Sequence, residues 1–229
     1  DATAVDRRVL VSGSQNVLLN DQEKVATRSG YTLFGAANTV AQPILSSFDW
    51  PNSSGTVIHL RHLSDGDLEW YNETGETAWR TLIEDLSSTL PVRFTTVWDA
   101  TENIDRLLFV NNSSTLYEWS GAVTTVASVA ATTITKQGAN TWAQDRFLTA
   151  GTRQVTIRGV VYTYPGGETT ATLTSVTPDP TAQGANVPVA GDVCYQTVIS
   201  TANTPASGYT NNLIGTNRNQ VWVGSATRR

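Results

Sequence analysis

Asp65-Gly66-Asp67 is the most compact group in this chain that could do chemistry, because two carboxylates flank a glycine. One such pair falls short of the roughly six to eight oxygen ligands that calcium takes, and a hairpin turn explains the same three residues. Glu69, Glu73, Glu118 and Asp145 are the carboxylates open to a glycosidase reading. That chemistry needs two of them held across a scissile bond, and their spacing pairs none. His59 and His62 stand three apart on a predicted strand, so they point to opposite faces and cannot hold one metal together. Cys194 beside Tyr195, with no base nearby in sequence, reads as a small buried hydrophobe rather than a nucleophile. No catalytic, cofactor-binding or metal-binding residue is assigned, and the chain is expected not to be an enzyme.

Aromatic rings are the other chemical resource. Trp70, Tyr71, Trp79, Trp98, Tyr117, Trp119, Trp142 and Trp222 would make a sugar-stacking surface if they shared one exposed face. Large rings in β-rich chains more often fill the wedge between sheets, and core is the expectation here. Asn52, Asn72, Asn111 and Asn112 each fit the N-x-Ser/Thr pattern and are read as turn residues.

Composition limits what can position these groups. Only 15% of the 229 residues are charged, against 39% hydrophobic, so a sizeable core is available. Thr, Val, Ser, Asn and Gly favour pleated strands and tight turns, which makes all-β the expected class. A formal net charge of -5 argues against coating nucleic acid, which needs a concentrated basic surface. With one cysteine no intrachain disulfide can form, and packing must supply the stability. No apolar run approaches the roughly 20 residues that a helix needs to cross a bilayer. The chain begins at Asp1 and lacks methionine, so it is expected to be processed or a piece of a longer one.

The clearest local pattern runs from Arg106 to Val126, RLLFVNNSSTLYEWSGAVTTV, and reads as strand, hairpin, strand, turn, strand. A looser version occupies 43–98, with strands expected at Ile44–Phe48, Val57–Leu63, Leu68–Tyr71 and Ala78–Leu82, and a short helical turn at Leu82–Leu86. In that unit Val57, His59 and Arg61 share a face. Placing Trp119 over Trp70 gives a 49-residue period, within the roughly 40–50 residues of a propeller blade. Residues 1–30 read as an arm, with short strands at Val9–Val11 and Val17–Leu19, and 31–140 as propeller-like blades. A small inserted β-domain is expected over 141–203, with a long β run at Thr152–Tyr164, a strand at Thr169–Val176 and another at Gly191–Ile199. Residues 204–229 return to a strand pair. The fold expected is an incomplete β-propeller-like array of antiparallel blades carrying an insert.

The segments NVLLNDQEKVATRSGYTLFG, LLFVNNSSTLYEWSG and LIGTNRNQVWVGSA together resemble the tail nozzle or packaged-DNA-stabilisation proteins of short-tailed bacteriophages. The likeness covers about 9–130 and 205–229. It implies a structural virion protein of the tail or neck, forming a ring of identical subunits that lines or closes the DNA exit channel. Implied partners are other copies of the chain, portal, adaptor or other tail proteins, DNA passing without specific binding, and a second polypeptide that completes the propeller. No membrane partner and no cofactor are implied. An adhesin-like propeller that binds host glycans through exposed tryptophans is the alternative.

Overall fold

The structure is a computed structural model describing residues 17–19, 25–27, 42–72, 78–111, 115–202, 213–217 and 220–224. It is all-β, built from antiparallel sheets. Residues 1–37 form one compact unit and 38–229 a second. Of the first unit, β1 (Val17–Leu19) and β2 (Val25–Thr27) are described, and they pair antiparallel. The strand expected at Val9–Val11 lies outside the described residues.

The second unit opens with a four-stranded meander, β3 (Ile44–Pro51), β4 (Val57–Leu63), β5 (Leu68–Asn72) and β6 (Arg80–Ile83), paired in chain order. Alternation in β4 sends Ile58 and Leu60 into the core, while His59 and Arg61 turn to the opposite face with Asp49 and Glu69. The turn between β4 and β5 is the Asp65-Gly66-Asp67 segment, where the Asp67 amide donates to Asp65 Oδ1 at 3.1 Å. No helical turn forms at Leu82–Leu86. Leu82 and Ile83 belong to β6, the next four residues are irregular, and the Leu86 amide donates to the Gly66 carbonyl at 3.0 Å. Burial of Leu82 and Leu86 in one core therefore came from strand and loop, two arrangements whose apolar spacing mimics a single helical turn.

Strands β7 (Arg93–Asp99), β8 (Ile104–Val110) and β9 (Thr115–Trp119) begin a second meander of the same kind. Its fourth place is not filled by the Val/Thr run that follows in sequence. After Trp119 the chain turns at Ser120-Gly121-Ala122, where Gly121 sits at φ +71° and a Cβ would come within 2.7 Å of the Trp50 ring. Only glycine allows both that backbone and that approach. The turn carries β10 (Val123–Ala130) out of the sheet.

A six-stranded sheet then forms from β10, β11 (Thr133–Lys136), β12 (Gln154–Ile157), β13 (Val160–Thr163), β14 (Thr172–Thr174) and β15 (Val193–Gln196), in the order β13-β12-β15-β10-β11-β14. It curls strongly into a half-barrel. A register shift between Val126 and Ser128 bends β10, so that one strand pairs with β15 at its start and β11 at its end. Thr163 and Thr177 bridge across the opening between the two edges. Two strands assigned to the blade region, at 123–136, thus belong with the strands of the expected insert.

The β run expected over Thr152–Tyr164 is a hairpin. Arg158 and Gly159 both take positive φ, +49° and +77°, which is the two-residue turn that matches strand twist. Gly159 signalled a break in the run, and the break is a reversal. The Gly191–Ile199 run is split as well: β15 stays in the barrel, and β16 (Ile199–Ala202) crosses back to pair antiparallel with β9 as the fourth strand of the second meander. Finally β17 (Leu213–Asn217) and β18 (Gln220–Gly224) pair as a hairpin.

Two cores result. One fills the barrel, with Trp142, Phe147, Tyr162, Tyr164, Val155, Ile157 and Cys194 among its members. The other lies between the meanders and joins Trp50, Ile58, Leu60, Trp70, Leu107, Phe109 and Trp119. Stacking is strand on strand: Phe48 of β3 stacks on Phe94 of β7 at 5.2 Å, and Trp70 of β5 meets Trp119 of β9 at 5.7 Å.

Candidate functional site

The densest polar constellation sits where both meanders meet the barrel. Arg146, at φ +72° in the loop before the barrel hairpin, reaches into this seam with its side chain only 8% exposed. Its Nε donates to the Ser120 carbonyl at 3.0 Å, and one terminal nitrogen donates to Ser53 Oγ at 2.7 Å. The other donates to Asp105, to Oδ1 at 2.9 Å and to the backbone carbonyl at 2.5 Å. Asp105 also accepts from Trp50 Nε1 at 2.7 Å and from the Ser53 amide at 2.8 Å. A guanidinium buried this far is tolerable only when its donors are met, and four acceptor atoms from Ser120, Ser53 and Asp105 meet them here.

Burial raises the Asp105 carboxyl, but Ser53, Arg146 and Trp50 together outweigh it and hold the group below its ordinary value. Burial lowers Arg146, with Asp105 opposing. Chemically the arrangement is a clamp: four of the five N–H donors of Arg146 and both carboxylate oxygens of Asp105 are engaged by protein groups. Sequence reasoning named neither Arg146 nor Asp105, and with 41 residues between them no local pattern could have joined them.

Further ties run along the same seam. Glu102 accepts from the amides of Thr149 and Ala150 and from the Thr149 hydroxyl, at 2.8–3.0 Å. The Gln196 carbonyl accepts from Trp119 Nε1 at 2.8 Å, while its side chain accepts from the Leu148 amide at 3.1 Å. Burial pushes the Tyr164 phenol far up, so it stays neutral and donates to the Leu148 carbonyl at 2.9 Å. The barrel is fastened to both meanders by buried hydrogen bonds.

Three of the four carboxylates weighed for catalysis each have a separate cationic partner. Glu69 pairs with Arg61 at 2.6 Å, and Arg61 stacks over Trp79 at 4.1 Å. Glu118 and Asp99 both pair with Arg106. Asp145 pairs with Lys136 at 2.7 Å and accepts from Asn140. Glu73 lies outside the described residues. Among the described residues no three His, Cys, Asp or Glu side chains are grouped to hold a metal ion. Cys194 is fully buried in the barrel core, which raises its thiol well above the ordinary range.

Trp70, Trp119 and Trp142 are buried, Tyr71, Trp79 and Tyr117 are half-buried, with the Tyr71 and Trp79 rings 5.5 Å apart, and Trp98 is 42% exposed. The side chains of Trp222 and Asn72, and all of Asn112, lie outside the described residues. Asn52 and Asn111 are buried turn residues. Asn52 Oδ1 accepts from the Ser54 and Thr56 amides, and Asn111 Nδ2 donates to the Leu90 carbonyl at 3.0 Å.

His59 Nδ1 donates to Asp49 Oδ1 at 2.8 Å, whereas His62 is fully buried. Burial lowers the His62 pKa, and Asp65 and the Ser87 backbone offset part of that. The unfolded chain therefore takes up the proton first as pH falls. His62 contributes stability that is present above about pH 6.5 and is lost as pH drops through its lower folded value. Urea midpoints measured at pH 7 and pH 5.5 are expected to fall for the native chain and to converge for His62→Leu.

No family model, curated protein or solved structure matches the chain. Its own geometry therefore carries the functional reading. An opening of about 500 Å³ also lies in the second unit, lined by Ser46 and Phe48 of β3, Arg93 and Phe94 of β7, and Ile214 of β17.

Proposed function

We propose that the chain is a structural virion protein of a phage tail or neck, a nozzle-type ring component whose meanders are blades of an incomplete propeller. The observation that carries this reading is the common opening bordered by β3, β7 and β17. In a propeller the first strand of every blade faces the axis and like strands of neighbouring blades lie over one another. The β3-on-β7 and β5-on-β9 stacking fits that plan, and β17–β18 then stands as the start of a third blade.

The Arg146, Glu102 and Gln196 contacts hold sheets and barrel together, which suits a structural part of a particle. On this reading further copies of the chain surround an exit channel, portal or adaptor proteins adjoin it, and a second polypeptide supplies the remaining blades. An acidic balance keeps a lumen from gripping DNA, because like charge disfavours close phosphate contact.

Native mass spectrometry of the purified chain and cryo-microscopy of particles that carry it test the reading together. Expected are a closed ring in solution or in the particle, and density for the chain on the tail axis. A monomer at all concentrations that is also missing from particles would end it.

A further inference from the structure

A cleft of about 530 Å³ opens between the outer strand β6 of the first meander and the barrel strands β12, β13 and β15. That volume falls within the roughly 300–1,000 Å³ typical of small-molecule sites. Its floor is a row of hydroxyls: Thr156 Oγ1 and Thr197 Oγ1 share a hydrogen bond at 2.8 Å, and Tyr195 Oη donates to the Thr81 carbonyl at 3.2 Å. Each of these hydroxyls retains hydrogen-bonding capacity. The wall is apolar, formed by Val193, half-buried Trp79 and Val161, which is 42% exposed.

At the rim stand the exposed Arg80; Glu84, an exposed carboxylate with no hydrogen bond or ion pair among the described residues; and Arg158, which donates to the Val187 carbonyl at 2.9 Å and faces Asp192 at 3.7 Å.

We propose that this cleft binds a short oligosaccharide. A sugar ring presents a C–H face and a rim of hydroxyls, and the cleft offers the matching pair: an apolar wall beside hydroxyls, with a carboxylate able to accept two hydroxyl protons at once. An extended peptide fits less well. The edge of β6 is only four residues long, and the Thr81 carbonyl that an added strand would need is already taken by Tyr195. This binding does not depend on the ring reading, since the cleft lies within one chain.

The test is a glycan array of neutral, amino and acidic short oligosaccharides probed with the whole chain, followed by calorimetric titration of the best ligand. Native mass spectrometry of the same samples records their oligomeric state. Expected is retention of at least one neutral oligosaccharide, about tenfold weaker binding in Glu84→Gln from loss of a charge-assisted hydrogen bond, and none in Val161→Trp, which fills the cleft. Both positions face solvent, and unchanged melting temperatures verify the fold. An array with no retained glycan overturns the proposal, as does binding that survives Val161→Trp. Loss of self-association in Val161→Trp without any glycan bound to the native chain overturns it too, and marks the cleft as a contact between copies.

Discussion

Replacing Trp119 with alanine is expected to lower the free energy of unfolding by about 3–5 kcal/mol, the range of large aromatic truncations in cores. The ring is 1% exposed and lies between two other indoles, Trp50 at 6.0 Å and Trp70 at 5.7 Å. No neighbour in such a layer can move in to fill the space without leaving its own strand. Truncation also strips the Gln196 carbonyl of the Trp119 Nε1 donor, at the point where the barrel chain returns to the second meander.

Trp119→Phe separates the two losses. It keeps most of the ring and removes the donor, and is expected to cost about 1–3 kcal/mol, the penalty of one unsatisfied buried acceptor. Urea unfolding followed by fluorescence and by circular dichroism checks both figures. A loss below about 1 kcal/mol for Trp119→Ala would be ordinary surface behaviour and would contradict the packing between the meanders.

Asp105→Ala is expected to cost a further figure of the same size, about 3–5 kcal/mol, because it leaves the Arg146 guanidinium buried without its counter-charge. It also orphans Trp50 Nε1 and the Ser53 amide. The effect carries a pH signature. The folded carboxyl is held below its ordinary value, so its stabilisation is present above about pH 4 and is lost as pH falls through the folded value. Native protein should therefore lose stability steeply in that acid range, and Asp105→Ala should lose less. Asp49→Ala serves as the comparison: its side chain is 73% exposed beside His59, and an exposed pair of that kind contributes at most about 1 kcal/mol.

Hairpins were legible in this chain because their signals are local. The β4 alternation, the Asp65-Gly66-Asp67 turn and the strand pair at 213–224 depend on neighbours a few residues apart, and each is found where the sequence put it. Trp70 and Trp119 show what such signals leave open. Their 49-residue spacing suggested one position repeated in two blades, yet the rings touch across a single core, one from each facing sheet.

The clamp at the seam had no sequence signal at all. Arg146 and Asp105 are common residue types in unremarkable surroundings, and what makes them a pair is the docking of a barrel loop against the β7–β8 hairpin. Gln196 is the same case, an amide in a strand whose carbonyl, by the turn of the chain, comes to cap Trp119.

Residue types and their spacing settled the all-β class, the tight turns and the burial of most tryptophans, because propensity, period-two alternation and turn chemistry act over a few residues. Tertiary structure alone settled which strands share a sheet. The Val/Thr run after Trp119 leaves for the half-barrel, and β16, some eighty residues later, takes its place beside β9. Backbone hydrogen bonds between strands are chemically identical wherever they form, so the choice of partner falls to long-range packing: Gly121 beneath the Trp50 ring, and a buried arginine that must find its carboxylate.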